Sequence, residues 1–91
     1  MNIEKFLIIT FDSTHLVMKI EKFLLEAGIS VQIIPLPGEL KSSCGFSIKA
    51  EIEDINKIIL LFKNNNIEEN IYSIYLCEKI GFKKTFSPFN F

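Results

Sequence analysis

The sequence predicts an α+β domain with a four-stranded antiparallel sheet that carries two helices on one face. Short segments rich in β-branched and aromatic residues alternate along the chain with two longer segments whose apolar residues recur every three or four positions. The order is strand, helix, strand, strand, helix and strand, so the two halves of the chain repeat one pattern. This order predicts the ferredoxin-like βαββαβ sandwich.

The first half begins with an apolar run at residues 5–11, which is too short for a helix and is expected to form a buried central strand. Residues 12–14 supply three side chains able to cap a helix N-terminus, and Gly28 supplies a left-handed stop. The first helix is therefore predicted over residues 14–27. The remaining elements are predicted as strands at 31–34, 46–51 and 72–77 and a second helix at 53–64.

Length and composition predict one folded unit with an apolar C-terminal extension. The chain has 91 residues, of which 48% are hydrophobic, and this is enough for a dense core without metals or disulfides. We expect a single ferredoxin-like domain over residues 1–80 and a Phe-rich C-terminal tail over residues 81–91. The tail is too apolar for a free terminus, so it is expected to cover the open sheet face or to dock on a partner chain.

Charge and hydropathy argue against several classes of protein. The net charge is −1 and the basic residues are scattered along the chain, whereas binding to nucleic acid needs a basic stripe. Arg is absent, which removes its bidentate contacts to phosphate. The apolar runs are far shorter than the roughly 20 residues that span a bilayer, and the N-terminus does not have the pattern of a secretion signal. We therefore expect a cytoplasmic protein with two reduced Cys side chains and no cofactor.

The chemistry of the chain is expected to centre on Cys44. In the predicted topology the third strand lies beside the first and runs opposite to it, so Cys44 should lie close to the N-terminus of the first helix. A helix N-terminus favours a nearby anion such as a thiolate, a histidine there can add a hydrogen bond or a charge, and a glycine after the cysteine leaves room for a ligand or donor protein. The residues predicted to stabilise the Cys44 thiolate are Ser13, Thr14, His15, Ser43 and Gly45.

A structural role for Cys44 is the alternative, because free cysteines are among the most buried side chains in proteins. Its polar neighbours favour a functional thiol, and the residues alone leave both interpretations open. Cys77 ends the last predicted strand and is expected roughly 20 Å from Cys44 as a core or edge residue, which is beyond the reach of about 7 Å that a disulfide needs. The sequence has no C-x-x-C or H-x-x-x-H pattern, so no metal site is predicted.

Four segments of the chain carry a resemblance to a known family. They are Ile-Thr-Phe-Asp-Ser-Thr-His at 9–15, Glu-Ala-Gly-Ile at 26–29, Ile-Pro-Leu-Pro at 34–37 and Ser-Ser-Cys-Gly at 42–45. Together they resemble the putative selenium/sulfur carrier protein-like family over about residues 5–70. The Ser-Ser-Cys-Gly element, at this distance from a strand followed by Ser-Thr-His, is the most specific of the four.

The resemblance implies a carrier more than a stand-alone enzyme, with Cys44 holding sulfur or selenium as a persulfide or selenopersulfide. A donor protein such as a cysteine desulfurase would load Cys44, and an acceptor protein would receive the cargo. Members of the family typically have Pro where this chain has Asp12. The extra carboxylate is expected either to oppose the thiolate or to cap the first helix.

Two other functions stay open at this point. One is a non-catalytic ferredoxin-like interaction or regulatory module, in which the sheet face and the aromatic tail bind a partner and Cys44 is incidental. A second copy of the chain, in a homodimer, is one such partner. The other function is a thiol redox enzyme, which is disfavoured because no resolving cysteine is expected within reach of Cys44.

Overall fold

The structure, a computed structural model that describes residues 3–89, is an α+β fold with two helices and one antiparallel sheet. The strands are β1 (Ile3–Phe11), β2 (Val31–Pro35), β3 (Phe46–Ala50), β4 (Tyr72–Ile80) and β5 (Lys83–Pro88). The helices are α1 (Thr14–Glu26) and α2 (Ile55–Asn64), with single 3-10 turns before α2 at Ile52–Asp54 and before β4 at Glu69–Ile71. The predicted α+β class, with two helices and an antiparallel sheet, and the predicted order of the first six elements are confirmed.

The strand β1 lies at the centre of the sheet, whose order is β2-β3-β1-β4-β5. Ile9 of β1 pairs with Ile48 of β3 on one side and with Ile74 of β4 on the other, and both pairings are antiparallel. The C-terminal half of β1 is buried throughout, because it has a strand on each side and covered faces above and below. The apolar run that predicted a central strand therefore has the burial that its composition requires.

The prediction of a four-stranded sheet was wrong, because the C-terminal segment adds a fifth strand. β4 continues three residues beyond its predicted end and turns at Gly81, whose φ of 59° lies in the left-handed region that a two-residue turn requires. Lys83 then pairs with Ile80, and β5 runs back along β4. After β5, Phe89 packs against the core on the helix face. Phe91, the last Phe of the predicted tail, lies outside the described residues.

Both helices pack on the same face of the sheet. α1 starts after Ser13 and is followed by Gly28, whose φ of 85° provides the predicted left-handed stop. Phe62 of α2 contacts the ring of Tyr72 edge-on, with centroids 4.8 Å apart. The core between helices and sheet includes the buried side chains Leu7, Ile9, Phe11, Val17, Ile20, Leu24, Ile48, Ile58, Phe62 and Ile74.

The sheet face that points away from the helices is also covered in its centre. Ile8 alternates along β1 with core residues, and Cys77 pairs with Phe6 on the same side; both Ile8 and Cys77 are 0% exposed. Residues 36–45 connect β2 to β3 and are called the β2–β3 segment below. The charge of its residue Glu39 raises the pKa of Cys77, as a smaller effect than burial.

Neither helix within residues 3–89 has the length and apolar character needed to cross a membrane.

Candidate functional site

Cys44 lies two residues before β3, at the end of the β2–β3 segment. Because Thr10 pairs with Ser47, the start of β3 is level with the end of β1, and Cys44 lies next to the first turn of α1. Its side chain belongs to the core cluster on the helix face and is only 2% exposed. The polar neighbours of Cys44 in the sequence therefore surround an inward-facing thiol.

Two groups lie within hydrogen-bond distance of the Cys44 sulfur. The Thr14 Oγ1 atom is 3.3 Å from Sγ, and either the hydroxyl or the thiol can donate. The backbone N–H of Phe46 donates to Sγ at 3.4 Å. In the thiolate form both groups can act as donors, and hydrogen bonds to an ionised acceptor are stronger than those between neutral groups. The buried sulfur therefore has two potential donors directed at it.

Ser42 fixes the β2–β3 segment to the end of β1. Its hydroxyl donates to the Phe11 carbonyl oxygen at 2.5 Å and its oxygen accepts from the Cys44 N–H at 3.3 Å. The Leu36 N–H donates to the Gly45 carbonyl oxygen at 2.9 Å and closes the segment at its base. Sequence reasoning did not name Ser42 as a site residue, although a Ser that bonds the backbone two residues further on is a recurrent turn pattern.

The N-terminus of α1 is capped by Ser13 and not by Asp12. The Ser13 oxygen accepts from the Leu16 N–H at 3.2 Å. Asp12 is exposed, and its carboxylate accepts no hydrogen bond from α1 within residues 3–89. α1 contacts the Cys44 sulfur through the Thr14 side chain. The N–H group that donates to Sγ belongs to Phe46 of β3 and not to the helix.

The other predicted site residues, Gly45, His15 and Ser43, do not contact the Cys44 sulfur through a side-chain hydrogen bond within residues 3–89. Gly45 follows Cys44 on the exposed side of the segment, and a Cβ placed there would have no atom within 4 Å. His15 and Ser43 are exposed, and neither makes a side-chain hydrogen bond to another group within residues 3–89. The structure therefore brings Thr14 to Cys44 and leaves His15 and Ser43 directed to solvent, while the open side at Gly45 offers an approach.

Cys77 occupies a separate environment on the opposite face of the sheet. It pairs with Phe6, near the start of β1, whereas Cys44 lies beyond the end of β1. Burial raises the pKa of the Cys77 thiol most; nearby Glu side chains raise it further, and nearby Lys side chains lower it. Both cysteines are free thiols. Within the described residues, no group of three His, Cys, Asp or Glu side chains is arranged to hold a metal ion.

Comparison with known proteins gives one match. A family model described as Putative Se/S carrier protein-like matches residues 6–73. No curated protein and no solved structure matches the chain. The matched range extends from β1 into the start of β4 and includes every residue described around Cys44, while β5 lies outside it. The family resemblance predicted from the sequence is confirmed.

We expect Ser42→Ala to make Cys44 more reactive and the fold less stable. The substitution leaves the Phe11 carbonyl and the Cys44 N–H without their partner, which costs about 1–3 kcal/mol. If the segment opens on its own, a loss of about 1 kcal/mol raises the open fraction about fivefold. The rate of iodoacetamide labelling at Cys44, located by peptide mapping, should rise by that factor. Ser43→Ala is the matched control and should change neither rate nor stability; equal rates for both variants would contradict the role of Ser42.

We expect the buried Cys77 thiol to make stability depend on pH in the alkaline range. Its pKa is raised in the folded state above the ordinary value of 9.0, so its contribution is complete below that value and is lost as pH rises through the folded pKa. At pH values between the pKa of Cys77 in the unfolded chain and its higher pKa in the folded protein, stability should fall with pH. The wild type should lose about 1.4 kcal/mol of unfolding free energy per pH unit relative to Cys77→Val. Urea unfolding of both proteins from pH 7 to pH 11 measures this difference. If the unfolding free energies of the two proteins changed equally with pH, the pKa of Cys77 would not be raised in the folded state.

Proposed function

The chain belongs to the Putative Se/S carrier protein-like family, and from this we propose that Cys44 carries sulfur or selenium as a persulfide or selenopersulfide between two proteins. The observation that carries the proposal is the position of the Cys44 sulfur between the Thr14 hydroxyl and the Phe46 N–H. The donor is a protein such as a cysteine desulfurase, and an acceptor protein takes the cargo. The reducing cytoplasm, where thiols stay free, suits this chemistry.

Each transfer is a thiol exchange at the outer chalcogen atom. The Cys44 thiolate attacks the outer sulfur of the donor's persulfide, a new S–S bond forms, and the donor's cysteine leaves as a thiolate. An acceptor thiolate then attacks the same outer atom, the bond to Cys44 breaks, and Cys44 returns to the thiolate. Electrons and atoms balance without an added oxidant or reductant, and a lone cysteine is sufficient.

The residues around Cys44 support both stages of this exchange. The Thr14 hydroxyl and the Phe46 N–H donate to the sulfur when it is charged, as attacking group and as leaving group. Ser13 sets the start of α1, whose partial positive charge acts in the same direction. Gly45 leaves the exposed side free of a side chain. We assign the main stabilising role to Thr14 and Phe46, because both reach the sulfur directly.

Burial of the sulfur sets a condition on loading. A side chain that is 2% exposed cannot meet a donor cysteine until the β2–β3 segment moves or the Cys44 side chain rotates. Ser42 holds the segment closed through its bond to the Phe11 carbonyl. We infer that donor binding opens the site, because the closed form gives a donor cysteine no access to the sulfur.

A second candidate function is a non-catalytic interaction module in which Cys44 is incidental. The fully exposed Phe82 at the tip of the β4–β5 turn favours it, because a large aromatic side chain in solvent is a frequent binding element. The two functions differ in their need for the thiol: partner binding by the module would survive Cys44→Ser, and carriage of sulfur would not.

We expect one added sulfur atom on Cys44 when the protein is incubated with a cysteine desulfurase and L-cysteine. Intact-mass spectrometry followed by peptide mapping measures the adduct and its position. Cys44→Ser should remain unmodified, and Cys77 should carry nothing because its thiol is buried with a raised pKa. No adduct on the wild type, or an adduct only on Cys77, would contradict the carrier proposal.

We expect Thr14→Val to slow loading about tenfold and Thr14→Ser to restore it. Valine keeps the shape of the side chain but removes the hydroxyl that reaches the sulfur, and a hydrogen bond to a charged group contributes about 1.5–3 kcal/mol. Alkylation of Cys44 by iodoacetamide should slow in Thr14→Val as well, since the thiolate loses a donor. A loading rate that Thr14→Ser fails to restore would instead indicate a packing role for Thr14.

A further inference from the structure

We propose that the partner protein presents its cysteine on an extended segment that pairs with the free edge of β2 and places apolar side chains in a groove beside Cys44. This inference rests on the proposed carrier function and specifies how the partner binds. The groove lies between α1 and the β2 edge of the sheet, and it is called the edge groove below. Its lining residues are Thr14, Val17, Met18, Ile33 and Phe46.

The edge groove and the thiol share two residues. Thr14 and Phe46 line the groove, and the same two residues contact the Cys44 sulfur. Met18 is 60% exposed and Phe46 is 45% exposed, so the groove presents apolar surface to solvent immediately next to the sulfur. A group bound in the groove therefore lies against Thr14 and Phe46, the two residues that contact the Cys44 sulfur.

The edge of β2 offers backbone hydrogen bonds along the same groove. β2 ends the sheet and pairs only with β3 within the described residues. Exposed strand edges are usually protected by charged residues or Pro, and the opposite edge follows this rule with Lys83 and Lys84 in β5. β2 has no charged residue, and Pro stands only at its end. An extended segment can therefore add to β2, as in other cases of recognition by strand addition.

The position of Cys44 sets where the partner's cysteine must lie. Pro35 of β2 pairs with Phe46, so the Pro35 end of the edge is the end next to the thiol. A segment along β2 with alternating apolar side chains fills the edge groove with one side chain or two, and its cysteine extends beyond the Pro35 end. The chemistry of the partner is thus an uncharged, β-forming apolar run next to a cysteine.

The size of the edge groove favours a short segment over a second copy of this chain. Five side chains line it, with a volume of about 220 Å³, whereas a stable interface takes about 20–30 residues a side. The volume is also below the roughly 300–1,000 Å³ of sites for drug-sized molecules. A surface of this size binds weakly, as a carrier requires when it must release each partner after transfer.

The test compares two synthetic peptides whose cysteine is activated as a mixed disulfide with thionitrobenzoate. One peptide has the run Val-Thr-Val-Thr-Val next to the cysteine and the other has Gly-Ser-Gly-Ser-Gly, with terminal Lys residues on both for solubility. The Cys44 thiolate attacks the peptide sulfur, the mixed disulfide forms and thionitrobenzoate leaves, so its absorbance gives the rate. Peptide mapping assigns the reaction to Cys44.

The wild type should react about tenfold faster with the Val-Thr peptide than with the Gly-Ser peptide. Met18→Lys should reduce this ratio to about one, and Leu60→Lys should keep it. Leu60 is a matched control because it is 59% exposed on the other helix, away from the edge groove. Iodoacetamide rates at Cys44 should be equal in the wild type and in Leu60→Lys. Because the ratio compares two peptides on the same protein, a change of the thiol itself in Met18→Lys cancels from it.

The proposal would be overturned by equal rates for the two peptides or by no reaction at Cys44. It would also be overturned if the rate ratio stayed high in Met18→Lys, or if it fell to about one in Leu60→Lys. The outcome is separable from the carrier function, because this exchange uses no persulfide. A protein that a desulfurase fails to load can still show the peptide preference, and a protein that is loaded can lack it.

Discussion

The antiparallel pairing of β1 with β3 positions every group at the Cys44 site. Because Thr10 lies opposite Ser47, the chain leaves β1 into α1 at the same place where it enters β3 from the β2–β3 segment. A shift of this pairing by one residue would turn the side chains of β3 to the other face of the sheet. Cys44 would then point away from Thr14, and Ser42 would lose the Phe11 carbonyl.

The two cysteines are buried to a similar degree but differ in the groups that contact their sulfur atoms. The Cys44 sulfur lies within hydrogen-bond distance of the Thr14 hydroxyl and the Phe46 N–H. Cys77 has a pKa raised by burial, and no hydrogen-bond donor contacts its sulfur within residues 3–89. The sheet thus separates a cysteine with the contacts that the proposed exchange uses from one without them.

The sequence predicted the helices and strands whose apolar residues recur at regular spacing. It did not predict the features that depend on backbone N–H groups or on sheet edges. Helical spacing and the Gly28 stop located α1 within one residue at its end. β5 was missed because an edge strand needs no buried alternation, so Lys83 and Lys84 did not suggest a strand. The Phe46 N–H could not be identified because every residue except Pro carries that group. The burial of Cys44 was indicated in the sequence. Phe46, Ile48 and Ala50 alternate along β3, and continuing this alternation two residues before the strand directs Cys44 to the same face.

The fifth strand changes which part of the sheet is available to a partner. A sheet that ended at β4 would have free edges at β2 and β4, and the proposed carrier function alone would not select between them. β5 covers β4 and brings two Lys to the outer edge, which discourages strand addition there. The uncharged edge that remains is β2, and its Pro35 end is next to Cys44. Under the proposed strand pairing, β5 therefore favours the β2 edge, from which a partner's cysteine would reach Cys44.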